Sequence, residues 1–167
     1  MGGALRLAAV AMVLVLGGCE SGDDGGAAPG LGPGESWGEQ RRTAAAVLAR
    51  HDRQGAGAVG DSAAVGYGLS VGSAVLDARG TRMTVSFIGA PASADQPCGS
   101  DYAAEAVESG TAVVVIVLEQ RHGGGGEVCA MIGASRTAVV NLAAPLGDRA
   151  VLEIHGEAVP VTRAGAR

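Results

Sequence analysis

From Leu69 onward the hydrophobic period of the chain becomes two, and that change does most to limit what it can fold into. In "TRMTVSFIG", Met83, Val85 and Phe87 alternate with Arg82, Thr84 and Ser86, the pattern of a strand buried on one face. "SVGSAVLDA" precedes it across Arg79 and Gly80, so the two are expected as a hairpin. "AVVVIVL" at 112–118 is short, β-branched and apolar on both faces, as a central sandwich strand would be. "SDYAAEAVES" contains helix formers, but its place just before that run, across "SGTA", makes it the antiparallel partner. "EVCAMIG", "RTAVVNL", "RAVLEIH" and "EAVPVT" follow as further short runs. In "RAVLEIH", Leu152 and Ile154 should face one way and Glu153 and His155 the other.

About seven or eight short strands with no βαβ alternation predict an all-β fold, a small antiparallel sandwich over residues 67–163. An immunoglobulin-like arrangement is the first expectation. No tryptophan is placed to fill its core, because Trp37 lies outside the strands. The core must be built from valine, alanine, leucine and isoleucine.

Residues 38–66 read as a short helix and a glycine-rich connector. The helix, from Gly38 to Arg53, has Glu39 early and Arg50 and Arg53 late, as the helix dipole favours. Its apolar stripe is alanines with Val47 and Leu48, so it should pack weakly or lie on the surface. Residues 19–37, rich in Gly, Pro and acidic side chains, read as a flexible tether.

Residues 1–18 have the parts of an export signal: Arg6, an apolar run from Leu7 to Leu16, then Gly17 and Gly18. That run is shorter than the roughly 20 residues a membrane-spanning helix needs. "LGGC" at 16–19 resembles the lipobox of bacterial lipoproteins. The resemblance implies that Cys19 is lipidated and becomes the first residue of a mature chain held on the extracytoplasmic face of the cell membrane. The membrane, through that lipid, is then a partner.

The balance of 17 acidic against 12 basic side chains, with no basic cluster, argues against nucleic acid as a partner. Besides Cys19 there are two cysteines, Cys98 and Cys129, and in an exported domain they read first as a disulfide. Free or metal-binding thiols are the alternative, with no C-x-x-C spacing to support them. From Gly72 to Val161 the run of "FIGAP", "PCGSDYAAEAVES", a valine-rich strand, a second cysteine and "APLGDRAV" resembles the secreted lipoproteins common in actinobacteria. That resemblance implies the compartment and the Cys98–Cys129 pairing, and no activity.

Several motif matches fail on context. "GAGAVG" at 55–60 fits G-x-G-x-x-G but follows a helix and opens no βαβ unit; with 29 glycines it is a chance match. "GLSVG" at 68–72 fits G-x-S-x-G, with Asp148 and His155 in hydrolase order after Ser70. It lacks the strand–turn–helix an elbow needs; Ser70 begins a strand, and His155 should face solvent. His51, His122 and His155 are scattered over a helix end, a loop and a strand, so no metal site is expected. "RHGGGGE" at 121–127 reads as a loop tip. Glu105 with Glu108, and Glu153 with Glu157, mimic glycosidase carboxylate pairs but read as solvated strand faces.

No catalytic residue and no cofactor is therefore expected. The leading expectation is a lipid-anchored extracytoplasmic lipoprotein whose domain is a non-enzymatic binding or interaction module of the envelope. The alternatives are a small serine hydrolase using Ser70, His155 and Asp148, and a purely structural envelope protein.

Overall fold

The computed structural model describes residues 36–54, 67–120, 129 and 132–165. The expected export signal, Cys19, the expected tether up to residue 35, the expected connector at 55–66 and residues 121–127 with His122 lie outside the described residues. Most of "EVCAMIG" does too.

The elements are helix α1 (Trp37–Gln54) and strands β1 (Val71–Leu76), β2 (Arg82–Gly89), β3 (Asp101–Glu108), β4 (Ala112–Gln120), β5 (Ala134–Asn141), β6 (Ala150–Glu153) and β7 (Val161–Arg163). The strands form two sheets, one ordered β5-β2-β1-β7 and the other β3-β4-β6. This is a small all-β sandwich with one helix added. The expected β1–β2 hairpin forms, pairing Val71 with Phe87 and Leu76 with Met83. Its turn is held by Asp77, whose Oδ1 accepts from Thr81 N and Arg82 N, and by Gly80 at φ 77°. β3 and β4 form the second expected hairpin, in register from Asp101↔Gln120 to Glu108↔Val113.

The immunoglobulin expectation holds only in the division into four and three strands. That fold would put strands 1, 2, 4 and 5 in one sheet and 3, 6 and 7 in the other. Here β4 stays beside its hairpin partner β3, and β7 crosses to β1. The sandwich is also not wholly antiparallel: β1 pairs with β7, and β4 with β6, in parallel.

β4 decides the layering. Val113, Val115 and Val117 point into the core between the sheets, with Leu76, Met83, Val85 and Phe87. Ala112, Val114, Ile116 and Leu118 point the other way, into a second core with Ala44, Val47 and Leu48 of α1 and with Leu152 and Ile154. The two-sided apolar run is explained by that helix. The expectation that the helix packs weakly or lies on the surface is thus corrected: Ala44, Val47 and Leu48 are buried against this face of β4.

The helix also starts one residue before the expected boundary. Ser36 caps it, with Glu39 N donating to Ser36 Oγ at 3.3 Å, and the hydroxyl in turn donates to Glu39 Oε2 at 3.0 Å. At its other end Asp52 accepts from Ser109 Oγ at 3.1 Å and from Thr111 Oγ1, fastening α1 to the β3–β4 turn.

Candidate functional site

The segment entering β1 runs beside the end of β6. Leu69 N donates to Val117 O at 2.9 Å. A Cβ on Gly68 would stand 3.0 Å from Ile154 Cγ2 and 3.3 Å from Val117 O, so close packing accounts for the first glycine of "GLSVG". The second, Gly72, sits in a β-bulge where the register shifts between Val71 and Ser73. The bulge leaves Gly72 and Ser73 both exposed, breaking the alternation on either side. The motif therefore reflects local packing in a strand entry, with no helix after it.

Ser70 Oγ nevertheless lies 3.5 Å from His155 Nδ1. The acid beside this histidine is Glu153, whose Oε2 lies 2.5 Å from the same Nδ1. Asp148 precedes β6, whereas Glu153 ends it; the intervening strand is roughly 13 Å long at ordinary rise. Two of the three residues weighed for a hydrolase are thus brought together and the third is not. The wiring also differs from a triad. There the acid holds Nδ1 and the nucleophile meets Nε2. Here both groups address Nδ1, and a nitrogen donating its hydrogen to Glu153 has no lone pair to take a proton from Ser70.

Glu153 was not among the expected site residues, and it is not solvated: it is 2 % exposed. The expected alternation after Leu152 fails because β6 ends at Glu153 and the chain turns. Gly156 N donates to Glu153 O, and Glu153 N to Glu157 O. The Glu153 side chain folds into that turn, where Oε1 accepts from His155 N at 2.8 Å and Glu157 N at 3.1 Å. The signal available in the sequence was an acid followed two residues later by His and then Gly, which is too common to single out.

The other paired carboxylates are also held. Glu105 receives two 2.8 Å hydrogen bonds from Arg41 of α1. Glu108 receives Arg149 Nη1 at 2.6 Å, with both side chains largely covered. Glu105 keeps the solvated position expected from the sequence, whereas Glu108 does not. Cys98 and Cys129 are disulfide-bonded, with Cα atoms 5.6 Å apart, as expected. Among the described residues no group of three or more His, Cys, Asp or Glu side chains is placed to hold a metal ion. His51 and His155 do line one small cavity between α1 and the turn after β6, but its roughly 20 Å³ has room for little more than a water molecule.

The larger concavity, about 430 Å³, opens on the outer face of the four-stranded sheet at the bulge. Ser70, Ser73, Ser86 and Ser135 line it around Val71, Phe87 and Ile88. Its size falls in the range of about 300–1,000 Å³ usual for small-molecule sites.

Fold and site together define a helix-covered β-sandwich with an open, hydroxyl-lined groove on one face. Comparison with protein-family models, curated proteins and solved structures finds no match to the chain.

Proposed function

We propose that this chain is a lipid-anchored lipoprotein of the extracytoplasmic face of the bacterial membrane, and that its sandwich is a non-enzymatic binding module of the envelope. The Cys98–Cys129 bond carries the reading. A structural disulfide belongs in an oxidising compartment, and the "LGGC" segment at 16–19 supplies a route there. The groove at the β1 bulge gives the module a surface to bind with.

The test is the intact mass of the membrane-extracted protein, alkylated without reduction. A mass of residues 19–167 plus a diacylglyceryl group, with no alkylated thiol, is expected. A chain that keeps residues 1–18 and has alkylated Cys98 and Cys129 overturns the reading.

One observation favours a second reading, an envelope serine hydrolase: the 3.5 Å approach of Ser70 to His155. Its acid would be Glu153 in place of Asp148. A fluorophosphonate probe that labels the folded chain, but not Ser70→Ala, would support it; equal labelling of both ends it.

A further inference from the structure

Among the described residues, the groove at the β1 bulge belongs to a wider sheet face of uncharged side chains. Across the outer face of its sheet, Thr162, Val75, Thr84 and Val139 are in register, followed by Ser73, Ser86 and Thr137, then Ile88 and Ser135. None of these side chains ionises. Following β2 back from Ile88, the first ionisable outward residue is Arg82, at the hairpin end. Ile88 is left 67 % exposed and Val75 43 %.

We infer that this groove binds a neutral oligosaccharide. Away from the Ser70 end, where His155 is already paired with the buried Glu153, the described residues offer an ionic ligand no opposite charge to compensate its lost hydration. A purely apolar one would cover the hydroxyls of Ser73, Ser86 and Ser135 without giving them a partner. A sugar chain suits both parts of the lining, because its hydroxyls can donate to and accept from serine, while a C–H face lies against the exposed Ile88. An extended peptide is less well served. Peptides join sheets at free edges, and β2, which floors the groove, is hydrogen-bonded on both sides, to β1 and to β5.

Gly72 keeps the groove open. A Cβ there would meet only Ser86 O, at an ordinary 3.7 Å, and its φ lies outside the left-handed region. The fold therefore tolerates a side chain at this position, and the effect of one is to fill the groove.

This inference rests on the binding role proposed above but not on the lipid anchor. The test uses the full chain in detergent, applied to an array of chito-, cello- and malto-oligosaccharides with sulfated and phosphorylated counterparts. Retention on neutral members is expected. Gly72→Leu should abolish it with an unchanged melting temperature, and the Ser86→Ala/Ser135→Ala pair should weaken it about tenfold, as losing two hydrogen bonds implies. Retention on charged members alone, retention on none, or undiminished retention by Gly72→Leu overturns it. If the array fails while the mass measurement succeeds, the groove assignment falls and the compartment stands.

Discussion

Arg149 and Glu108 form the most fully used ion pair of the described structure. Arg149 Nη1 donates to Glu108 Oε2 at 2.6 Å and to Ser109 O. Nη2 donates to Ala144 O and Pro145 O, and Nε to Leu146 O. The other Glu108 oxygen accepts from Ala143 N at 2.7 Å. The pair thereby fastens the end of β3 to the segment that delivers β6 to β4.

Arg149→Met should cost about 2–3 kcal/mol, the lower end for a broken buried pair because both groups keep some solvent contact. Arg149→Lys should recover less than half of that, since an ammonium cannot match a planar fork with five N–H groups. Urea midpoints measure both. Equal stability of the lysine variant and the parent would show that charge alone matters here.

The burial of α1 leads to a second expectation. Leu48→Ala should destabilise by about 2–4 kcal/mol, the range for truncating a core leucine. A leucine on a loosely attached surface helix would lose no more than roughly 0.5 kcal/mol. Ser36→Ala should remove about 1 kcal/mol through the cap. The same denaturation series separates these cases.

Much of the fold was legible because the strands obey a period of two. Met83, Val85 and Phe87 could be placed inside, and β3 could be paired with β4, from spacing alone. Three things were not. The run at 112–118 looks the same whether its second face meets a sheet or a helix, so the role of α1 was lost; the Ser36 cap, three residues before Glu39, was the overlooked clue to where that helix begins. Strand order depends on long-range pairing, which left β7 and the two parallel contacts out of reach. At the site, Ser70 and His155 are 85 residues apart in sequence and meet only through the fold. Glu153 has the polarity of a surface residue, and its burial follows from a turn that the alternation pattern cannot announce.

Asp77 gives a pH dependence. Desolvation alone would raise its pKa, but backbone N–H donation from Arg82, Thr81, Gly80 and Arg79 prevails and holds the carboxyl below its ordinary value. A depressed folded-state pKa means that its stabilising contribution is complete above the unfolded value, about 3.9, and fades as pH falls through the folded one. Amide exchange at Thr81 and Arg82 should therefore accelerate in that acid window. Asp77→Asn, which keeps an oxygen acceptor, should remove the acid dependence.

The disulfide makes a separable pair of predictions. It closes a loop with a sequence separation of 31, so breaking it should cost about 3–4 kcal/mol in the chain-entropy model. Cys98 also sits at φ 59°, in the left-handed region. With the bond already removed by Cys129→Ala, Cys98→Gly should be more stable than Cys98→Ala by about 1 kcal/mol, because glycine alone occupies that region without steric cost. Equal stabilities would mean that residue 98 leaves this conformation once the bond is absent.

Glu153 and His155 provide the test of what the buried carboxylate does. If it is the anchor of the turn, its value lies in the two backbone N–H groups of His155 and Glu157 that it satisfies. Glu153→Gln keeps an oxygen for them and should cost about 1 kcal/mol. Glu153→Leu fills the same space with no acceptor, leaving both N–H groups without their partner, and should cost about 3 kcal/mol. The glutamine variant has a second consequence. Its amide can donate to Nδ1, which must then accept, so the hydrogen of the neutral ring moves to Nε2. Nitrogen chemical shifts of the His155 ring report that change of tautomer directly. A leucine variant as stable as the parent would show that the turn stands without the carboxylate, and Glu153 would then need another reason to be buried beside Ser70 and His155.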